Sequence, residues 1–346
     1  MEEVPYVSVV MPVRNEERFI ARSVTAVLSQ DYPLDRIEVI VADGMSDDRT
    51  RELVMSLAAE HPCLRLIDNP GRIVSYGLNA ALRIARGEII VRVDGHCEIS
   101  RDYVRRCIEH LNRDDVDCVG GPIETVGEND LAQVIALAMG SPFGVGGSAF
   151  RTVRDRNLFV DTVAFPACKA RVMRHAGLFD EELVRNQDDE YSYRLRKLGA
   201  RILLARDVCS RYYSRGSLRS LWRQYFQYGY WKVRVMQKHP RQMSLRQFVP
   251  PLFVLVTLLT LVLSTASTRS MWLFAGVFST YLMTNLAASI FTARDWRSLV
   301  VLPVIFATLH FSYGSGFLVG LIKFRNRWSN RNEGLVQAAV SDGESR

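Results

Sequence analysis

Cysteine is scarce and scattered in this sequence. The six residues, at positions 63, 97, 107, 118, 168 and 209, form no CxxC pair and no zinc-ligand spacing. That excludes a zinc module, and the six read as reduced, mostly buried thiols of a cytoplasmic compartment. The N-terminus, Met1-Glu-Glu-Val-Pro5, lacks a basic segment leading into an apolar core, so it does not read as a signal peptide. Acidic charge is in deficit: 37 Asp and Glu stand against 44 Lys and Arg, a formal net charge of +7. The basic residues crowd beside apolar segments. The excess therefore points to an anionic membrane surface or a phosphate-bearing lipid rather than to nucleic acid.

Charge thins out beyond residue 247. Three apolar segments, 250–267, 270–292 and 298–322, carry no Asp, Glu, Lys or Arg. Each approaches or exceeds the roughly 20 residues that cross a bilayer as a helix. Lys323, Arg325, Arg327 and Arg331 follow the last segment and predict a cytoplasmic C-terminus. The basic residues before Pro250 predict the same side for the N-terminal region. Three full spans would separate those ends, so either one segment is re-entrant or the charge rule fails. Pro303 and a break at Gly314-Ser-Gly316 point to a kinked or re-entrant third segment. The tail from Gly334 to Arg346 is short and polar and is expected to be disordered.

What is present before residue 126 is a regular alternation of two periods. Val7 to Val13, Ile37 to Val41, Leu64 to Ile67, Ile89 to Val93 and the run opening at Cys118-Val119 read as buried strands. Between them lie helical patterns. One carries Phe19, Ile20, Val24, Val27 and Leu28. The next is capped by Asp47 or Asp48. A third runs from Val74 to Ala85 with Gly87 placed to end it, and a fourth is capped by Ser100. This alternation implies an α/β fold with a mostly parallel sheet covered by helices on both faces. Ligands in such sheets bind outside the carboxyl ends of the strands.

The middle, about 126–215, is less regular. Gly140-Ser-Pro-Phe-Gly-Val-Gly-Gly147 reads as a mobile loop, and Asp161 to Phe165 and Arg201 to Ala205 read as strands. Residues 217–237 predict an amphipathic helix with aromatic and basic residues interleaved, suited to a membrane surface or to packing on its own domain. The domains expected are 1–215, an interface-helix region 216–248, membrane or re-entrant segments 249–323, and a tail 324–346.

Four polar sites recur at strand ends, in chain order: Pro12-Val-Arg-Asn-Glu16, Asp43-Gly-Met-Ser-Asp47, Asp94-Gly-His96 and Asn186-Gln-Asp188-Asp189-Glu190. Residues two apart on a strand face the same side, so Asp94 and His96 can address one cation together. A strand that simply ends in a polar turn is the alternative. Taken together, with Val41-Ala-Asp-Gly-Met-Ser-Asp-Asp48, Ser141-Pro-Phe-Gly-Val-Gly-Gly147 and Gln224-Tyr-Phe-Gln-Tyr-Gly-Tyr-Trp-Lys232, the sites resemble the family 2 glycosyltransferases of GT-A fold. Within that family the resemblance is to the succinoglycan-biosynthesis, ExoA-like subgroup, and it covers residues 6 to about 235.

The resemblance implies roles. Pro12, Arg14, Glu16, Asp43, Arg72 and Asp94 would contact the nucleotide, and Asp94 and His96 would hold Mn²⁺ or Mg²⁺. Asp188 would be the catalytic base, chosen over Asp189 for its six-residue step to Arg194. Gln224, Tyr228 and Trp231 would lie on the acceptor and membrane side. Where the family usually has a second Asp, this chain has His96, which shifts the expected ion towards Mn²⁺. Arg211-Tyr-Tyr-Ser-Arg-Gly-Ser217 has no histidine where many relatives carry a further ligand. Tyr230 stands in the arginine place of the processive Gln-x-x-Arg-Trp motif, which favours one sugar per acceptor.

The expectation is an inverting, metal-dependent glycosyltransferase of exopolysaccharide or related glycan synthesis. Its donor would be a nucleotide sugar such as UDP-glucose. Its acceptor would be a polyprenyl-diphosphate-linked saccharide at the inner (cytoplasmic) membrane, with the catalytic domain facing the cytoplasm and the 140–147 loop closing over the acceptor. The alternatives are a non-catalytic membrane scaffold with the same fold and a sugar-nucleotide nucleotidyltransferase. Against the latter, Pro12-Val-Arg-Asn-Glu16 is not a glycine-rich basic nucleotide loop.

Overall fold

The computed structural model describes residues 4–328. The chain opens with β1 (Val7–Val13), α1 (Ile20–Leu28), β2 (Ile37–Asp43), α2 (Thr50–Glu60), β3 (Leu64–Asp68), α3 (Val74–Ile84) and β4 (Ile89–Arg92). Then come β5 (Cys97–Ile99), α4 (Tyr103–Leu111), β6 (Cys118–Gly121), β7 (Ile123–Val126), α5 (Asp130–Met139), α6 (Pro142–Val145) and α7 (Ala149–Thr152). The next stretch holds β8 (Leu158–Phe159), β9 (Ala164–Lys169), α8 (Ala170–Ala176), α9 (Gln187–Lys197), β10 (Ile202–Leu204) and β11 (Ser210–Tyr213). Four long helices follow: α10 (Leu218–Lys238), α11 (Val249–Ser264), α12 (Thr268–Thr292) and α13 (Trp296–Lys323).

Of the described residues, 4–124 and 149–213 form one compact unit, and 125–148 with 214–328 form a second. In the first, an eight-stranded sheet has the order β3-β2-β1-β4-β9-β6-β10-β8. Strands β3, β2, β1 and β4 are mutually parallel, as are β6 and β10; β9 and β8 run antiparallel. Every residue of β1 and β2 is buried, which is why both read as continuous apolar runs. Glu38, buried at the start of β2, is bonded by the Ser8 hydroxyl at 2.6 Å and the Arg86 amide at 2.7 Å. Such pairing is what lets a carboxylate sit in a sheet interior.

Several sequence expectations need correction in this unit. Gly87 does not end α3, which stops at Ile84 with Ala85 as its cap. The glycine instead lies against β1, its amide donating to Ser8 Oγ at 2.7 Å, where a Cβ would overlap Ser8. The N-cap of α4 is Asp102, and Ser100 contributes its carbonyl rather than its hydroxyl, accepting from Tyr103 at 3.0 Å. The strand expected at 161–165 starts at Ala164 and runs to Lys169, because its partners on β4 and β6 set the ladder. Cys118 and Cys168 face each other across β6 and β9 and are disulfide-bonded, so these two are not reduced thiols.

In the second unit, α11 (from Leu245, counting a preceding turn), α12 and α13 are long and apolar enough to cross a membrane. Helix α13 is unbroken over 28 residues with Pro303 inside it, about 42 Å at 1.5 Å per residue. The break expected at Gly314-Ser-Gly316 is absent. These glycines serve close helix contacts: a Cβ on Gly316 would strike the Phe226 carbonyl of α10, and one on Gly314 the Pro250 carbonyl of α11. From the other side, Gly229 of α10 lies against the Tyr313 carbonyl. Helix α10 thus packs on α13. The loop expected at 140–147 contains the helical turn α6. The Phe143 ring meets Phe306 and His310, and the Phe143 carbonyl lies 2.8 Å from His310 Nε2. Arg246 donates to the Gly146 and Gly147 carbonyls, both at 3.0 Å. The tail from Gly334 to Arg346, and Arg331, lie outside the described residues.

Candidate active site

Parallel pairing sets Val13 of β1 beside Asp43 of β2, and Val10 of β1 beside Arg92 of β4. The carboxyl ends of three neighbouring strands therefore carry Pro12 to Glu16, Asp43 to Asp47 and Asp94 to His96 at one end of the sheet. Asp43 is fully buried. Its carboxylate accepts from the Ser46 amide at 3.1 Å, from the Ser46 hydroxyl, and from Arg51 at 2.9 Å. Arg51 also bonds Asp68 at 2.8 Å. After Asp43 the backbone turns sharply, with Met45 at φ 56°. Gly44 allows that turn to sit tightly. A Cβ there would lie 3.1 Å from Arg14 and 3.3 Å from the Arg72 carbonyl. The Arg14 side chain and the Arg72 backbone thus both border Gly44, next to Asp43, and both residues are exposed.

At the end of β4, Arg92 grips the Asp94 carboxylate with two hydrogen bonds, Nε to Oδ1 at 2.9 Å and a terminal nitrogen to Oδ2 at 3.3 Å. His96 Nδ1 lies 2.8 Å from Glu16 Oε1. Gly95 is needed between them, since a Cβ would press on Val13 at 3.0 Å and on Glu16 at 3.1 Å. Burial works against a charged imidazole here. The facing Glu16 carboxylate outweighs it, with Tyr212 and Asp94 adding to the effect, and holds His96 at about 9. Strand β11 pairs with β5 and sets Tyr212 opposite Cys97. The Tyr212 ring meets the His96 ring edge-on at 5.1 Å, in the segment where the family pattern led one to look for a further ligand.

Among the described residues, no group of three or more His, Cys, Asp or Glu side chains is arranged to hold a metal. The candidate donors are the Asp94 carboxylate, whose oxygens Arg92 also engages and which keep further lone pairs, and His96 Nε2, because Nδ1 is engaged by Glu16. One carboxylate and one imidazole fit a divalent cation that completes its shell with phosphate and water oxygens. A cation held there would take the place of the Nε2 proton.

Asp188 stands in the first turn of α9, after Asn186 at φ 63°, and is exposed. Its Oδ1 accepts from the Asp189 amide at 2.9 Å. The helix is anchored one turn on, where Arg194 bonds Glu190 at 2.7 Å and the Ala176 carbonyl at 2.6 Å. Asp188 and Arg92 line one otherwise largely apolar cavity of about 30 Å³, room for a water or so. The base candidate and the residue that grips Asp94 therefore border a common space. In the second unit, Gln224 donates to the Tyr228 hydroxyl at 3.0 Å, and Trp231 packs on Tyr230 and Phe324. Sequence reasoning missed Arg92, Arg51 and the pairing of Glu16 with His96. Arg92 was within reach, since it closes the apolar run only two residues before Asp94.

The GT-A class defined by this sheet and its acidic strand ends is matched among solved structures. The mannosyltransferase PcManGT from Pyrobaculum calidifontis, solved with GDP-Man and Mn²⁺, superposes with a TM-score of 0.58 at 20% identity, covering 92% of this chain and 88% of its own. That likeness bears on the fold. The model for glycosyl transferase family 2 matches residues 8–178. Succinoglycan biosynthesis protein ExoA of Rhizobium meliloti is 32% identical over 244 residues, 70% of this chain and 73% of that protein. A dolichyl N-acetyl-α-D-glucosaminyl phosphate 3-β-D-2,3-diacetamido-2,3-dideoxy-β-D-glucuronosyltransferase of Methanococcus voltae is 25% identical over 328 residues, 92% of this chain and 98% of that protein. The chain belongs to glycosyltransferase family 2 and acts in glycan or polysaccharide biosynthesis.

Proposed function

We propose that this chain is an inverting, divalent-metal-dependent transferase that moves a hexose from a nucleotide sugar to a polyprenyl-diphosphate-linked saccharide. UDP-glucose is the first donor to test. The observation that carries the reading is the meeting of the β1, β2 and β4 ends, which gathers Asp43, Arg14, Arg72, Asp94 and His96 at one end of the sheet. A buried carboxylate such as Asp43 accepts from a base imide or a ribose hydroxyl. Arg14 and Arg72 supply positive charge for the diphosphate, and Pro12 shapes the base pocket. Asp94 and His96 would hold Mn²⁺ or Mg²⁺, and such an ion would supply positive charge for the departing nucleoside diphosphate.

Asp188 takes the proton of the acceptor hydroxyl as its oxygen bonds to the anomeric carbon. The bond from that carbon to the diphosphate oxygen breaks on the opposite face. A single displacement inverts the centre, so an α-linked donor yields a β-glycoside. Helix α10, with Gln224, Tyr228 and Trp231, serves the lipid-linked acceptor, and Tyr230 in the processive-motif place favours one sugar per acceptor. The lipid-phosphate acceptor is supported by the name of the Methanococcus relative. Inner-membrane placement with the catalytic unit in the cytoplasm is supported by the three apolar helices and the basic residues before Pro250. The test is a panel of nucleotide sugars incubated with full-length protein, membrane extract and Mn²⁺. The expected result is metal-dependent release of one nucleoside diphosphate with transfer to lipid. Pyrophosphate formation from a nucleoside triphosphate and a sugar phosphate would point to a nucleotidyltransferase instead.

A further inference from the structure

Each of the two side chains proposed to hold the cation is gripped by a second residue, and one grip joins parts of the chain 80 residues apart. His96 Nδ1 and Glu16 Oε1 lie 2.8 Å apart, and their side chains are only 15% and 16% exposed. Neither partner is free to drift. The Glu16 amide donates to Thr50 Oγ1 at 2.8 Å, and its carbonyl accepts from Phe19 at 2.9 Å and Ile20 at 2.8 Å in the first turn of α1. On the other side, Ser23 of α1 donates its hydroxyl to the Gly95 carbonyl at 2.9 Å. Gly95 has no side chain to separate the two, and the Tyr212 ring borders the imidazole. The spacing between carboxylate and imidazole is therefore set by backbone on both sides.

A carboxylate only accepts, so the ring nitrogen facing it carries the hydrogen. The other nitrogen, Nε2, is then the one left to bind a cation, in exchange for the proton it would otherwise carry. We propose that Glu16 is a positioning residue for His96: it fixes the ring's orientation and tautomer so that Nε2 meets the cation, rather than contacting the nucleotide itself. The assignment rests on the divalent-metal reading of Asp94 and His96. Carboxylates paired in this way to a ligating histidine raise its basicity and hold its ring, and their loss costs about 10–100-fold in metal affinity.

The test is Mn²⁺ titration of the full-length protein in detergent, read by the electron paramagnetic resonance signal of free Mn²⁺, beside UDP binding without metal. Glu16→Ala is expected to weaken Mn²⁺ binding about 10–100-fold. Glu16→Gln, whose amide oxygen still accepts from Nδ1, is expected to recover part of that loss. Both variants are expected to bind UDP without metal as the wild type does, which also reports a folded site. Glu16→Ala binding Mn²⁺ like the wild type while His96→Ala does not would overturn the proposal alone. Loss of metal-free UDP binding in Glu16→Gln would also overturn it, by making Glu16 a nucleotide contact. If neither His96→Ala nor Asp94→Ala changes Mn²⁺ affinity, the metal reading falls and this assignment falls with it.

Discussion

Asp43 is a buried acid whose oxygens are all engaged, and the sharing of its partner makes it testable. Arg51 bonds both Asp43 and Asp68, so Asp43→Asn removes the negative acceptor while Asp68 keeps Arg51 anchored. The expected outcome is a donor KM raised about tenfold or more, the loss of a hydrogen bond to a charged group worth ~1.5–3 kcal/mol. In steady-state kinetics kcat should stay close to that of the wild type. Metal removal gives a second prediction at this scale. EDTA is expected to abolish nucleotide release, and Mn²⁺ to restore it more fully than Mg²⁺, because an imidazole ligand suits Mn²⁺ better. Equal activity with and without EDTA would count against His96 as a ligand. That Asp43, Asp94 and His96 stand at or just beyond strand ends was legible in the sequence, because an apolar run stops at each place. Glu16 as the partner of His96 was not, because no periodicity connects residues so far apart. The reach from β1 to the β4 end exists only once the sheet is assembled.

The elements of the first unit were legible wherever they are buried on both faces, as β1 and β2 are. Local rules misled at the edges. Gly87 reads as a helix stop, yet it is required by the approach of β1. Ser100 reads as a cap, yet Asp102 starts the helix. Gly140 to Gly147 reads as a loop, and the turn of helix within it is held by His310 and Arg246, far along the chain. Gly314 and Gly316 read as a break, and they are contact points of a continuous helix. That last difference is testable. Gly316→Val places side-chain atoms against the Phe226 carbonyl, whereas nothing lies within 4 Å of a Cβ on Gly276 of α12. Gly316→Val is expected to destabilise by about 1–3 kcal/mol through overpacking. Gly276→Val is expected to melt like the wild type. Thermal unfolding in detergent compares the two, and equal midpoints would contradict the α10–α13 contact.

For the whole molecule, the uneven spread of charge was the most readable feature, since it separates a charged α/β part from apolar helices. What composition did not show is that residues 125–148 belong with those helices. Their membership depends on contacts such as that of Phe143 with Phe306 and His310, which only the folded chain supplies. Three helices of this length and composition predict that the protein stays with the membrane pellet after an alkaline carbonate wash. Release into the supernatant would exclude spanning helices.

Transfer requires the acid at 188 to work on an acceptor while the strand-end residues hold a sugar donor. The most direct measurement is the initial rate of nucleotide release by full-length wild type and Asp188→Asn, with UDP-glucose, Mn²⁺ and membrane lipid acceptor. The predicted result is a kcat lower by about 10²–10⁴-fold with the donor KM little changed, and Asp189→Asn much less affected. Turnover by Asp188→Asn at the wild-type rate, with the donor being consumed and sugar appearing on lipid, would contradict it.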